Sequence, residues 1–183
     1  MREIEIKARV EYPEKIKKAL ENRGMQLGEE KRQHDVVFCA PGQKEYQKDS
    51  LWLRIRTENE QKTILTLKKD TGRKLDSIEH EVEVSDAQEL EAMLRLMGYE
   101  LFSDIRKTRQ NAHAGKIEVC FDQIDGLGTY LEAEILMDDE VNSQSVVDEL
   151  WAFFESLGFS RADEETVGYD ILYRRKYGMP QAS

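Results

Sequence analysis

The sequence predicts an α+β protein in which amphipathic helices cover the apolar face of an antiparallel sheet with about eight strands. Three features support this prediction: segments in which apolar and polar residues alternate, helical segments with one apolar stripe, and glycines that mark turns. The 183 residues are 39% apolar, which is enough for one packed core. Because no linker-like segment interrupts the chain, we predict a single domain over residues 1–177 and a short tail over residues 178–183.

A unit of strand, helix and glycine occurs three times. Each copy begins with an alternating Glu-x-Glu strand, continues into an amphipathic helix and ends in glycine followed by an apolar residue. The strands of the three copies span 3–7, 79–84 and 131–135, and their helices span 13–20, 86–97 and about 145–157. The glycines that follow the helices predict C-caps, because glycine adopts a positive φ readily.

The helices carry recognisable start signals. Pro13 suits the first turn of a helix, and Asp86 can cap the next helix, with Glu89 at the spacing of a capping box. Apolar residues recur at intervals of three and four at positions 90, 93, 94 and 97, and again at 146, 150, 153 and 157. A last short helix is predicted near residues 169–173, with basic residues at its C-terminal end.

Six stretches alternate with period two, and one of them contains the third Glu-x-Glu strand. They span 36–39, 52–57, 63–68, 105–109, 116–122 and 129–135. Gly115 and the run Gly126-Leu127-Gly128 mark hairpin turns. With the strands at 3–7 and 79–84, the total comes to about eight.

Each predicted strand has one apolar face and one charged face, because successive side chains point to opposite sides of a strand. Arg54 and Arg56, for example, oppose Leu53 and Ile55. The charged residues form blocks that are acidic on some strands and basic on others. Two arrangements remain open: a sheet whose charged face meets water, and a closed barrel of about eight strands whose charged face lies inside. A barrel lined in this way could hold a polyanion and a divalent cation.

The composition argues against several classes of protein. With 27 basic and 37 acidic residues the net charge is −10, which is unsuited to general nucleic-acid binding. No apolar run reaches the roughly 18 residues of a membrane helix, and the polar start of the chain is not typical of a signal peptide. We therefore expect a cytoplasmic protein with neither a membrane nor a nucleic acid as partner. Cys39 and Cys120 lack metal-ligand spacing and are predicted to be reduced thiols.

Seven motifs in chain order resemble the CYTH, or triphosphate tunnel metalloenzyme, superfamily, and within it the class IV adenylyl cyclase branch. The first is Glu3-Ile4-Glu5-Ile6-Lys7, which matches the Glu-x-Glu-x-Lys signature of that family. The others are His34-Asp35-Val36-Val37-Phe38, Leu53-Arg54-Ile55-Arg56, Leu65-Thr66-Leu67-Lys68, Lys107-Thr108-Arg109, Asp122-Gln123-Ile124-Asp125-Gly126-Leu127-Gly128 and Leu131-Glu132-Ala133-Glu134. The resemblance implies a closed eight-stranded antiparallel β-barrel with helices packed on the outside. It also implies that ATP or another triphosphate binds in the tunnel with Mg²⁺ or Mn²⁺.

The resemblance further implies roles for individual residues. The acidic positions would hold the metal, and they are Glu3, Glu5, Glu132 and Glu134, with Asp122 close by. The basic positions would bind the phosphates, and they are Lys7, Arg54, Arg56, Lys68, Lys107 and Arg109. Glu79 and Glu81 match a further acidic pair, but the basic residue that often precedes this pair is not at 77 or 78, and Arg73 and Lys74 are the nearest. His34 is a candidate contact to a base or ribose.

Three functions are compatible with this lining. The resemblance favours an adenylyl cyclase that converts ATP to cyclic AMP and pyrophosphate. The alternatives are a triphosphatase acting on inorganic triphosphate, thiamine triphosphate or nucleoside triphosphates, and a protein that only binds triphosphate or polyphosphate. The catalytic candidates are Glu5, Lys7 and Lys68, and the general base is either one of these lysines or a metal-bound hydroxide. Any oligomer is expected to be a two-fold homodimer.

Overall fold

A computed structural model describes residues 2–45, 48–72, 76–137 and 143–178. In chain order the elements are β1 (Arg2–Arg9), α1 (Pro13–Glu21), β2 (Lys31–Cys39), β3 (Leu51–Glu58), β4 (Lys62–Asp70), β5 (Asp76–Val84), α2 (Ala87–Leu96), β6 (Glu100–Ala114), β7 (Ile117–Ile124), β8 (Gly128–Met137), α3 (Ser143–Ser156), a short 3-10 helix (Arg161–Asp163) and α4 (Tyr169–Tyr177). Residues 179–183 of the predicted tail lie outside the described residues. Within the described part of the chain, none of the helices has both the length and the apolar character needed to cross a bilayer.

The strands form a closed antiparallel barrel in the order β1-β5-β4-β3-β2-β6-β7-β8. This confirms the predicted α+β class and the closed eight-stranded sheet, and it excludes the alternative of an open sheet. Closure leaves no sheet edge with unpaired backbone groups. It also gives every strand an inner face, and the alternation along each strand decides which side chains lie there.

The described residues fall into two compact units. Unit 1 comprises Met1–Lys31 and Thr108–Thr166, and unit 2 comprises Arg32–Lys107 and Val167–Ser183. In unit 1, β8 pairs on one side with β1 and on the other with β7. Helix α3 packs on the apolar face of β1 and β8, where Trp151 and Phe154 join one buried cluster with Ile4, Ile6 and Leu131. The opposite face of these strands is therefore the inner face.

In unit 2, β2, β3, β4 and β5 follow one another as antiparallel neighbours. Asp86 caps α2 as predicted, since its carboxylate accepts hydrogen bonds from the backbone N–H groups of Gln88 and Glu89. Through Leu94, α2 covers the apolar face that carries Phe38 and Ile55. The charged side chains of these strands consequently lie on the other face.

Helix α4 packs differently from α2 and α3. Its Ile171 joins a buried cluster with Val37, Cys39, Trp52 and Phe102. In the strand register Trp52 is the partner of Cys39 and has the same parity as Arg54, so these apolar residues belong to the inner face of unit 2. Helix α4 therefore covers apolar residues on the face that elsewhere carries charge.

Candidate active site

Three carboxylates meet on the inner face of unit 1. Glu3, Glu5 and Glu134 each place a ligand oxygen within 4.8 Å of the others, and we call them the acidic cluster. Glu5 and Glu134 are direct cross-strand partners on β1 and β8. Burial, followed by the negative charge of Glu3, raises the pKa of Glu134 well above its usual range. Closely spaced carboxylate oxygens suit a hard divalent cation such as Mg²⁺ or Mn²⁺, so these residues fit the metal that the resemblance implies.

Lys7 lies beside the acidic cluster and is 1% exposed. Its Nζ is 3.4 Å from Oε1 of Glu5 and 3.7 Å from Oε1 of Glu132. Both carboxylates lie within ion-pair distance of this nitrogen. Lys7 therefore brings a positive charge into the predicted metal-binding group.

Arg109 is held by two of the predicted metal ligands. Its Nε and Nη2 donate to the two oxygens of Asp122 at 2.6 and 2.5 Å, and Nη2 also donates to Glu132. Burial alone would lower the pKa of Arg109, but Asp122 and Glu132 keep it well above the usual value. The structure thus places Asp122 and Glu132 in an ion-pair network with Arg109, outside the three-residue acidic cluster.

A second group in unit 1 includes residues that the sequence-based prediction did not select. Glu118 and Cys120 on β7 have ligand atoms within 4.8 Å of those of Glu134. The Nδ2 of Asn111 donates to Glu118 and approaches Sγ of Cys120 at 3.8 Å. Burial raises the pKa of Cys120, which keeps it a thiol. Glu118 and Cys120 are separated from Asp122 by even numbers of positions along β7, so the three side chains lie on the same face of the strand. This spacing is the sequence signal that marks Glu118 and Cys120 as residues of the inner face.

Four basic side chains of unit 2 lie on the inner face, and we call them the cationic cluster: Arg54, Arg56, Lys68 and Lys107. Arg56 donates from Nε and Nη2 to the two carboxylate oxygens of Asp35, both at 2.7 Å. Lys107 is buried and its Nζ lies 5.1 Å from the centroid of the Tyr169 ring on α4. All four members were predicted from the sequence, whereas the partners Asp35 and Tyr169 were not.

Arg54 and Lys68 share the acidic residues of β5. Nη2 of Arg54 donates to Oγ1 of Thr66 at 3.1 Å and to Oε1 of Glu81 at 3.4 Å. Lys68 Nζ lies 2.7 Å from Oε1 of Glu79. Burial alone would raise the pKa of Glu79, but Lys68 and Arg54 outweigh it and lower the pKa to about 2. The acidic pair of β5 therefore orients Arg54 and Lys68, two of the four members of the cationic cluster.

His34 is not brought into either cluster. Its Cα partner on β3 is Thr57, so it lies on the face opposite to Asp35 and Arg56. Its Nε2 is 2.8 Å from Oδ1 of Asp104. The alternation of the strand explains this placement, since adjacent residues of β2 point to opposite faces. Arg73 and Lys74, the nearest basic residues before the β5 pair, lie outside the described residues.

Comparison with known proteins places this arrangement in a family. The CYTH domain matches residues 1–169. A Methanocaldococcus jannaschii protein named as a candidate adenylate cyclase is 28% identical over 97% of this chain and 97% of its own length.

Solved structures have the same fold. The PH1012 protein of Pyrococcus horikoshii has a TM-score of 0.80 at 24% identity, covering 92% of this chain and 97% of that one. A Hippeastrum protein, described as a candidate adenylyl cyclase with a dominant triphosphatase activity, has a TM-score of 0.61 at 16% identity, covering 98% and 97% of the two chains. Family match and fold agree, and the chain belongs to the CYTH domain family.

Proposed function

We propose that this protein is a divalent-metal-dependent enzyme that acts on triphosphates, and that its reaction is the conversion of ATP to cyclic AMP and pyrophosphate. The observation that carries the proposal is that the inner faces of the strands carry both a group of carboxylates and a group of basic side chains. On these faces unit 1 has the acidic cluster, with its ligand oxygens close together, and unit 2 has the cationic cluster, in which Arg54, Arg56 and Lys68 are ion-paired with carboxylates. Phosphoryl and nucleotidyl transfer depend mainly on positioning and on charge neutralisation, which such residues provide.

The acidic cluster would hold the metal. Glu3, Glu5 and Glu134 offer oxygen ligands. Burial, and after it the negative charge of Glu3, raises the pKa of Glu134, and a bound divalent cation would favour its carboxylate form. When bound, Mg²⁺ or Mn²⁺ would neutralise charge on phosphate oxygens. In this proposal Glu132 and Asp122 serve chiefly to hold Arg109, since both accept its hydrogen bonds.

The phosphates would be bound by Arg and Lys side chains. Arg109 keeps both N–H groups of Nη1 without a partner among the described residues, so it can donate to a phosphate oxygen while Asp122 holds its other edge. Arg54, Arg56, Lys68 and Lys107 supply further positive charge, and Lys7 supplies it beside the acidic cluster. In the cyclisation, the ribose 3′-oxygen gives its proton to water as it attacks the α-phosphorus, the bond from that phosphorus to the bridging oxygen breaks, and pyrophosphate leaves toward these cations.

Both lysines that were candidates for the general base have carboxylate partners. Lys7 faces Glu5 and Glu132, and Lys68 faces Glu79. A lysine that is ion-paired as an ammonium group has no lone pair with which to take a proton from the ribose oxygen. We therefore assign Lys7 and Lys68 an electrostatic role toward the phosphates.

A triphosphatase is the second candidate. The similar fold of the Hippeastrum protein with a dominant triphosphatase activity favours it, and the same charged lining would serve attack by water on the terminal phosphorus. A protein that only binds triphosphate or polyphosphate is the third candidate, since the cations alone would suffice for that.

Product analysis distinguishes the three functions. The protein is incubated with ATP, and separately with inorganic triphosphate, in the presence of Mg²⁺ or Mn²⁺, and the products are separated by ion-exchange chromatography. Cyclic AMP with pyrophosphate supports the cyclase, and orthophosphate supports the triphosphatase. Unchanged substrate despite binding identifies a binding protein and overturns the proposed enzyme. The Glu5→Gln variant is the matched control, because a contaminating activity would persist in it.

A further inference from the structure

Asp35 of β2 has a geometric relationship to Arg56 that none of the proposed roles includes. The two residues are direct cross-strand partners on β2 and β3. Both oxygens of Asp35 accept from one edge of the guanidinium, at 2.7 Å each. Two parallel hydrogen bonds fix the plane of the guanidinium as well as its position, which a single contact would not do.

The surroundings of Asp35 are strongly cationic. Arg54 and Lys107, together with Arg56, lower the pKa of Asp35 far enough to outweigh the effect of its burial. All three cations belong to the cationic cluster of unit 2. A carboxylate in such a place reduces the net positive charge available to an anionic ligand, so on charge alone it would weaken the binding of triphosphate. Its presence therefore requires a benefit other than charge.

We propose that Asp35 is a positioning residue: it holds the guanidinium of Arg56 in the orientation that binds a triphosphate. This inference rests on the proposed function. It adds a residue that does not contact the substrate itself and affects substrate binding only through Arg56. Orientation is the benefit that offsets the lost positive charge, because a pre-oriented guanidinium loses less conformational freedom when it binds an oxyanion.

The direction in which Asp35→Asn changes the affinity for triphosphate distinguishes a positioning role of Asp35 from a purely electrostatic one. The affinity for inorganic tripolyphosphate is measured by calorimetry without divalent cations, so that turnover does not interfere. If Asp35 positions Arg56, Asp35→Asn weakens binding roughly tenfold, as expected for a misdirected charge-assisted hydrogen bond. If Asp35 contributes only charge, the same substitution strengthens binding and the inference is wrong.

A second variant keeps the charge and changes the geometry. Asp35→Glu retains the carboxylate but moves it by one methylene, so the pair with Arg56 cannot keep its present alignment. We expect binding several-fold weaker than that of the wild type. Wild-type affinity in this variant would overturn the inference, and the variant serves even if Asp35→Asn does not fold.

A double-mutant cycle tests whether Asp35 acts through Arg56. In an Arg56→Lys background there is no guanidinium to orient, so adding Asp35→Asn leaves the affinity unchanged or strengthens it. An equal loss in both backgrounds would show a general effect on folding and would contradict the inference. Asp49→Asn is the matched control, because Asp49 pairs with the exposed Lys69 at 2.9 Å and should not affect affinity.

The wild-type measurement separates this inference from the proposed function. No binding of tripolyphosphate by the wild type in this metal-free measurement would overturn the positioning role, whereas the absence of any product in the incubations with Mg²⁺ or Mn²⁺ would overturn the proposed enzyme. Binding by the wild type with equal affinity in Asp35→Asn and Asp35→Glu would overturn the positioning role alone and leave the proposed function standing.

Discussion

Glu5 on β1 and Glu134 on β8 are direct cross-strand partners, so two carboxylates face each other across neighbouring strands of the barrel. Like charges in such positions destabilise a sheet. Glu3 adds a third carboxylate to the same group. We therefore expect the acidic cluster to lower the stability of the metal-free protein.

Replacing Glu134 by Gln should stabilise the metal-free protein. Because the pKa of Glu134 is raised in the folded state, folding becomes less favourable as pH rises above the ordinary carboxylate range, and the substitution removes this effect. We expect the melting temperature in EDTA at pH 8 to rise by about 2–4 °C, which corresponds to roughly 1 kcal/mol. The stabilisation of the wild type by Mg²⁺ should disappear in the variant. Glu83→Gln, at an exposed carboxylate 3.5 Å from Lys62, is the control, and a lower melting temperature of Glu134→Gln would contradict the assignment.

Glu79 should contribute stability that is lost in acid. Its pKa falls from 4.5 to about 2 in the folded state, so the contribution is fully present above pH 4.5 and disappears as pH falls toward 2. The shift corresponds to a contribution on the order of 3 kcal/mol. Urea titrations of wild type and Glu79→Gln across this range should show a difference in unfolding free energy that shrinks with acidity. A difference independent of pH would refute the ion pair with Lys68.

Glu5→Gln should abolish turnover and weaken metal binding. The substitution removes one of the three closely spaced carboxylates and one of the partners of Lys7, while the side chain keeps its size. We expect the dissociation constant for Mn²⁺, measured by calorimetry, to rise at least about tenfold. Glu14→Gln on α1, an exposed carboxylate, is the control. Unchanged metal affinity in Glu5→Gln would place the metal elsewhere.

Asp122→Asn should destabilise the fold. Asp122 is completely buried and both of its oxygens accept from Arg109, so the amide would leave a buried guanidinium poorly paired. Removing one partner of a buried ion pair costs about 3 kcal/mol or more. Asp49→Asn, in an exposed ion pair with Lys69, should cost no more than about 1 kcal/mol. Chemical denaturation of both variants tests this contrast.

The face of each strand could be predicted from the sequence, but the partner of each side chain could not. Alternation alone placed Arg54, Arg56 and Glu134 on the charged face of their strands, because it depends only on local geometry. The pairs of Asp35 with Arg56 and of Asp122 with Arg109 depend on the register between strands. Register is determined by packing over the whole sheet, so neither of these two pairs was predicted from the sequence.

The apolar stripe of α2 shows a similar limit. The sequence predicted that positions 90, 93, 94 and 97 face the sheet together, yet Met93 and Met97 are 50% and 61% exposed. Leu94 is buried against Phe38 and Ile55, and Leu90 packs beside it. A helix contacts a sheet along a narrow line, and periodicity does not show which of several apolar residues lie on that line.

The pairing of β1 with β8 has a consequence for folding during translation. Among the eight barrel strands, the one that carries Glu5 is synthesised first and its partner with Glu134 last. Until then, the first strand lacks the neighbour that will cover its backbone groups, and contacts this distant in sequence form slowly. Premature truncation anywhere before residue 128 would therefore release a nascent chain in which the acidic cluster cannot assemble.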